Sequence, residues 1–305
     1  MPELPDVTVY VEALSQRIAG RRLEKAVVRG PFLLRSIDPP MSAVEGRIVT
    51  EVRRVGKRIA IGFDGGAWLA LHLMIAGRLH WKAAAPKGAP KNVLAWFVFE
   101  NGVVTLTEAG SQRRAALYLA RGEDGLQTLD AGGIEPLEAS PEAFHAALTA
   151  ENHTLKRALT DPRMFSGIGN AYSDEILHRA GLSPVALTQK MSAEDIATLH
   201  AAVRNVLTEW TARLRQEAAG KFPEKVTAFR EGMGVHGRYG LPCPRCGAKV
   251  QRIRYASNET NYCPHCQTGG KLLADRGLSR LLRGDWPRTP EEMEMRVAGQ
   301  AGARP

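Results

Sequence analysis

Apolar residues recur at helical spacing where the chain begins and then at every second position. Val7, Tyr10, Val11, Leu14 and Ile18 share one helical face, and Gly20 is placed to end that helix. Strand-like stretches follow: KAVVRG, GRIVTEVRRVGKRIAIGF, AWLALHL, GRLHW, VLAWFVFE and GVVTLTE. Turn signals such as DGG and NG separate them, and WFVFE-NG-VVTLT has the form of a hairpin. Residues 1–130 therefore predict a β-sandwich or barrel domain preceded by one helix, with APKGAP as an exposed loop tip.

The period changes after residue 131. SPEAFHAALTAENHTLKRALTD, GNAYSDEILHRAGLSP and SAEDIATLHAAVRNVLTEWTARLRQEAAG read as helices with Ser, Asp or Asn at their starts. Gly181 is placed to terminate the second, and a helical domain is expected over 131–235. DPRMFSGIGN joins two of these helices, and its glycines permit unusual backbone angles. Amides at the helix start after Gly169 suit a phosphate. Read alone, however, the stretch serves as well as a plain interhelical turn.

Residues 236–270 carry the sharpest local signal. Cys243, Cys246, Cys263 and Cys266 are spaced C-x2-C-x16-C-x2-C, which suits a closed, tetrahedral structural zinc. A redox C-x-x-C pair is the competing reading, and two such pairs in a β-rich basic segment speak against it. The chain has 41 Lys+Arg against 32 Asp+Glu, a net charge of +9. Residues 236–283 hold nine basic and two acidic residues, +7 of that total. Such a concentration points to a polyanionic partner, nucleic acid before membrane. At 305 residues with 44% hydrophobic and 24% charged content, the chain has the composition of a globular protein. No stretch reads as a signal peptide or membrane span, so a cytoplasmic, nucleoid-associated monomer is expected.

Taken in order, MPELPDV, Lys57 in VGKRIAI, LKRALTDPRMFSGIGNAYSDEIL and the four-Cys finger resemble the formamidopyrimidine-DNA glycosylase/endonuclease VIII family. The match covers about residues 1–266. It implies an α+β multidomain protein: an N-terminal β-sandwich with its helix, a helix–two-turns–helix domain and a C-terminal zinc-finger hairpin. It further implies a base-excision DNA glycosylase with abasic-site lyase activity on damaged double-stranded DNA, and one structural Zn2+. Pro2, once Met1 is removed, becomes a secondary amine able to attack C1′ and leave a cationic iminium. By the same resemblance Glu3 is the acid/base, Lys57 and Lys156 contact phosphate, and Asn170 grips phosphates beside a flipped nucleotide. A DNA-binding zinc protein of this fold that recognises damage without excision, or one that is mainly an abasic-site lyase, is the alternative.

The chain departs from the family pattern in several places. The finger-tip Arg is replaced by Asn258, and an amide does not supply the lost charge, leaving Arg252 and Arg254 as candidates. Where the family presents Met after His-Leu-Gly, HLMIAG has Ile75, with Met74 shifted by one. The Arg-Arg-Phe wedge reads Arg113-Arg114-Ala115, so Met74 or Gln112 is expected to fill the space left by an extruded base, and preference for 8-oxoguanine is in doubt. Residues 271–305 extend past the family's usual end. Leu272, Leu273, Leu278, Leu281 and Leu282 suggest a helix-like segment there, and PEEMEMRVAGQAGARP is expected to be disordered.

Overall fold

The first apolar stripe becomes helix α1 (Leu4–Ile18), in which Val7, Tyr10, Leu14 and Ile18 are fully buried. The computed structural model describes residues 1–305 apart from 31, 89, 110–111, 225, 227–229, 256–257, 275–284 and 302–305. Eight strands follow α1: β1 (Leu23–Val28), β2 (Val49–Val55), β3 (Arg58–Phe63), β4 (Ala67–His72), β5 (Gly77–Lys82), β6 (Val93–Phe99), β7 (Gly102–Glu108) and β8 (Ala116–Arg121). They form two antiparallel sheets ordered β1-β6-β7-β5 and β2-β3-β4-β8, a β-sandwich. Ile59, Ile61, Leu69 and Leu71 of one sheet and Leu79, Phe97, Val104 and Leu106 of the other share a core with α1. Each such side chain stabilises the fold by about 1.5–3 kcal/mol.

The expected β6–β7 hairpin forms, but its turn is Glu100–Asn101, and Gly102 already lies in β7 opposite Phe99. Gly102 leaves room for Trp81 there, since a Cβ on it would lie 2.3 Å from that ring. GRIVTEVRRVGKRIAIGF is two strands, β2 and β3, reversed at Gly56–Lys57. Gly56 takes φ +59°, as primed hairpin turns require at their first central residue. Lys57 therefore sits in a tight turn and not within a strand.

The chain divides into two compact units, Met1–Gly133 with Leu207–Ala228, and Ile134–Val206 with Phe229–Pro305. Sequence reading assigned all of 131–235 to one helical domain, whereas 207–228 belongs with the sandwich. Phe222 and Val226 enter the sandwich core, Tyr10 and Phe222 pack with ring centroids 5.8 Å apart, and Arg215 grips Glu12.

Helix α2 (Gly122–Gln127) follows β8; in the second unit, α3 (Pro141–Thr149) is capped by Ser140 Oγ, which accepts from Ala143 N at 3.2 Å, and Thr154 caps α4 (Leu155–Thr160) in the same way. Helix α5 (Asn170–Ala180) ends at Gly181 in the left-handed region, φ +71°. The long α6 (Ala193–Ala218) follows, its residues up to Val206 in this unit and those from Leu207 in the first. Strands β9 (Gln251–Tyr255) and β10 (Asn258–Tyr262) pair antiparallel, followed by α7 (Pro264–Thr268).

Of the extension, Leu272 and Leu273 donate their amides to Arg288 O and Tyr262 Oη, while Leu278, Leu281 and Leu282 lie outside the described residues. The stretch expected to be disordered contains helix α8 (Pro290–Ala301). Thr289 accepts from Glu292 N, Pro290 suits the first turn, and Glu294 pairs with Lys249.

Candidate functional site

The candidate residues divide between the two units. In the first, α1 begins under Pro2 and Glu3, both buried. Glu3 is the N-cap residue, and its amide donates to Asp6 Oδ2 at 2.9 Å, which pins the start of the helix. Burial lowers the pKa of the Met1 terminal amine, one residue before Pro2, from its ordinary 8.0. The carboxylates of Glu3 and Asp6 oppose that shift, and the cations Arg78 and Lys57 add to it. Arg78 is held by its own turn, with Nη1 donating to Gly77 O at 2.7 Å and to Ile75 O at 3.1 Å. The Met1 amine is thus biased toward its neutral form near the Glu3 and Asp6 carboxylates, while the Pro2 nitrogen beside it is a peptide amide.

Met74 lies in the turn between β4 and β5 at φ +51°, unusual for a side chain with a Cβ. The turn is tight because Gly77 N donates to Leu73 O, and a Cβ on Gly77 would lie 2.3 Å from that oxygen. Met74 is half-buried and lines a cavity of about 390 Å³ with Arg35, His72, Arg114, Ala116 and Tyr118. Ile75, by contrast, is 61% exposed at the tip of the turn. Ala115 is buried in the sandwich core, and Glu108, itself buried, accepts from the amides of Arg114 and Ala115 at 3.0 Å each. That carboxylate aims the segment carrying Arg113 and Arg114. Arg113 donates to Lys91 O and Arg114 to Gln112 Oε1, and both arginines are exposed.

His72, at the mouth of β4, is held neutral. Burial, then Arg58 and Lys57, lower its pKa from 6.5 to about 4. Between those values the unfolded chain takes up a proton that the folded chain refuses, so stability falls as pH falls from 6.5 toward 4. The full loss is at most about 3.5 kcal/mol at about 1.4 kcal/mol per pKa unit. His72→Gln is expected to lose less melting temperature than the parent between pH 7 and pH 4.5. Equal losses would clear His72 of this role.

In the second unit, Lys156 Nζ donates to Asn170 O at 2.7 Å, to Ser173 Oγ at 2.8 Å and to Asp174 Oδ1. All three of its protons are thus occupied, and a phosphate would have to displace one of these acceptors. Asn170 opens α5, after Gly169, and its Nδ2 donates to Glu259 O in β10 at 2.9 Å. Arg252 stacks 4.0 Å from the Tyr239 ring and donates to Glu259 Oε2 at 3.2 Å. Arg254 is exposed and pairs in register with Glu259. Asn258 starts β10 opposite Tyr255, and only its backbone lies within the described residues.

Sequence reading missed the buried acids beneath these residues. Asp174 accepts from His236 Nδ1 at 2.7 Å and from Asn261 N at 3.2 Å as well as from Lys156. Glu175 accepts the amides of Gly234, Val235 and His236 at 2.7–2.9 Å. The available signal was an Asp-Glu pair set between Ala171-Tyr172 and Ile176-Leu177 in α5.

The four cysteine sulfurs lie within 4.8 Å of one another. Cys243 and Cys266 Sγ are 3.9 Å apart, and Cys246 and Cys263 Sγ 3.4 Å. Zn–S bonds of about 2.3 Å in a tetrahedron put sulfurs roughly 3.8 Å apart, so the cluster fits the ion. Burial pushes the Cys263 thiol up and that of Cys266 to about 11, so the buried thiolates need a compensating cation.

Three family models match the chain in this order. They are the formamidopyrimidine-DNA glycosylase N-terminal domain over residues 1–116, its H2TH domain over 133–217, and the zinc finger found in FPG and IleRS over 240–269. The formamidopyrimidine-DNA glycosylase of Desulfitobacterium hafniense is 33% identical over 282 residues, 88% of this chain and 100% of that protein. The chain belongs to the formamidopyrimidine-DNA glycosylase family. A formamidopyrimidine-DNA glycosylase-like protein of Mycobacterium tuberculosis is 44% identical over 152 residues, half of this chain and 94% of that one. Among solved structures, the Thermus thermophilus MutM (Fpg) protein superposes with a TM-score of 0.71 at 30% identity, over 87% of this chain and 98% of that one. A Lactococcus lactis family protein solved with DNA containing an oxidized pyrimidine shares the fold at a TM-score of 0.77 and 24% identity, over 88% of this chain and 100% of that one. Like the family's finger, the one in this chain holds one structural zinc, on Cys243, Cys246, Cys263 and Cys266. Among the described residues no helix is long and apolar enough to cross a membrane.

Proposed function

We propose that this glycosylase is bifunctional, excising damaged bases from double-stranded DNA and cleaving the resulting abasic site, with Pro2 as the nucleophile. The observation that carries this reading is the burial of Pro2 beside the Glu3 carboxylate at the start of α1, next to the Met1 amine whose pKa burial lowers. Removing Met1 turns the Pro2 nitrogen from an amide into an amine in those surroundings. Its lone pair forms a bond to C1′ while the C1′–base bond breaks and the base leaves with a proton. Glu3 exchanges a proton with the opening sugar, generating an iminium. Loss of a 2′ proton then lets the 3′ phosphate depart, with the iminium as electron sink.

Lys57 contributes positive charge that favours the neutral amine and attracts phosphate. Arg113, Arg114, Arg252 and Arg254 supply further cationic contacts, and Asn170 a neutral one. Extruding the base costs a few kcal/mol, less where damage has weakened its pairing. The protein acts as a cytoplasmic, nucleoid-associated monomer. Ile75, at the exposed tip, and Met74 are the apolar side chains nearest the place where the family's void-filling Met is expected.

Borohydride trapping on lesion and abasic-site duplexes tests this reading. A covalent adduct is expected; lesion binding with no adduct under any condition would leave a DNA-binding protein without excision. A second expectation concerns pH. Lys57→Gln removes a cation that disfavours the protonated amine, so the amine pKa rises. The acid limb of the lyase pH profile should then move to higher pH than in the parent. An unmoved limb, with only weaker DNA binding, would restrict Lys57 to phosphate contact.

A further inference from the structure

Helix α5 presents Asn170, Asp174 and His178 at i, i+4 and i+8, on one face. Each uses its side chain on the 236–266 segment. Asn170 Nδ2 donates to Glu259 O, and Asp174 Oδ2 accepts from Asn261 N and His236 Nδ1. His178 Nε2 lies 3.2 Å from Cys243 Sγ, with 5% and 3% of the two residues exposed. The finger returns the contact, since Arg245 Nη1 donates to His178 O at 2.8 Å. Gly234 closes the other side of the ring, because a Cβ there would lie 2.9 Å from His178 Nδ1. The imidazole is thus fixed in place with one nitrogen on a zinc-ligand sulfur.

We propose that His178 is a positioning residue of the zinc site, its Nε2–H donating to the Cys243 thiolate and so retaining the metal. A zinc-bound thiolate carries no proton, so the hydrogen between these two atoms belongs to the imidazole. A donor on sulfur draws off part of its negative charge and steadies the thiolate against protonation and departure from the metal. The Arg245 amide, 3.4 Å from the same sulfur, acts in the same sense from within the knuckle. His178 differs in coming from another element. Zinc retention and the seating of α5 against the finger become one linked equilibrium, in which weakening either weakens the other. The inference concerns metal retention alone and stands whether or not the protein excises bases.

The test uses the full-length zinc-loaded protein with His178→Phe, which fills the space without a donor, and His178→Gln, which restores one. Zinc release to a chromogenic chelator and the sulfur-to-cobalt charge-transfer band of the Co2+-substituted protein are the readouts. The Phe variant is expected to release zinc about 10–100-fold faster, the range typical of outer partners of metal ligands, and to shift the band. The Gln variant should stay within about threefold of the parent. Parent-like release and band in the Phe variant, or equally fast release in both variants, would overturn the proposal. Should the Phe variant not fold, the 15N shifts of the His178 ring in the parent decide. Hydrogen on Nε2 is expected, and hydrogen on Nδ1 alone would refute the donor role.

Discussion

A form of the protein carrying extra residues ahead of Pro2 is expected to bind an abasic-site duplex normally and to yield no borohydride-trapped adduct. The reason lies in one nitrogen. Within a peptide bond the Pro2 lone pair is delocalised into the carbonyl and does not attack carbon. As a free secondary amine with a pKa near 8, roughly a tenth is neutral at pH 7. Burial and the nearby Arg78 and Lys57 enlarge that fraction by lowering the pKa of an amine placed there. Blocking the amine should therefore cut lyase turnover by at least about 10³-fold, as expected when a covalent nucleophile is lost. Binding should change by less than about threefold, because the charges that attract phosphate are untouched. A cleavable extension sharpens the experiment: proteolysis that leaves Pro2 at the N-terminus should restore the adduct. An adduct from the uncleaved form would refute Pro2 as nucleophile.

Much of this could be seen in the chain before any coordinates. Local patterns were the legible ones. The α1 stripe, the Gly181 terminator, the β6–β7 hairpin and the four-cysteine spacing each depend on neighbours within a few residues or on a fixed ligand chemistry. Lys57 was misplaced because Gly56-Lys57-Arg58 joins two β-rich runs with no Asn, Asp or Pro beside it to signal a turn, and the positive φ of Gly56 marks the reversal. The membership of 207–228 was hidden for a different reason. An amphipathic helix shows which residues it buries but not which partner covers them, and the Tyr10–Phe222 contact links residues 212 positions apart. Helix α8 was missed because its acidic, weakly apolar sequence resembles a solvated tail until Thr289 and Lys249 are seen to hold it.

The Asp174 cluster was the least visible of all, and it carries the largest expected effect on stability. Asp174 is 1% exposed and takes hydrogen bonds from Lys156, from His236, 62 residues away, and from the Asn261 amide. Asp174→Ala would strand the Lys156 ammonium, with 12% of its side chain exposed, and deprive the buried His236 ring of its acceptor. Removing one member of such a buried pair costs about 3–5 kcal/mol, far more than the pair contributes over an apolar replacement. The Glu12–Arg215 pair provides the contrast. It is bidentate, but its side chains are 37% and 53% exposed, so Glu12→Ala should cost no more than about 1 kcal/mol. The two losses should also appear in different signals. Glu12 belongs to the sandwich unit, whereas Asp174 and the zinc cysteines belong to the other. Urea titration followed by zinc release should therefore show the Asp174→Ala midpoint well below the parent's, with Glu12→Ala close to it. Asp174→Asn keeps the shape and one acceptor oxygen while losing the charge, and should fall between them. If Asp174→Ala proved no more harmful than Glu12→Ala, the buried cluster would be incidental to the fold, and Lys156 would be free to leave Asp174 for a phosphate at little cost.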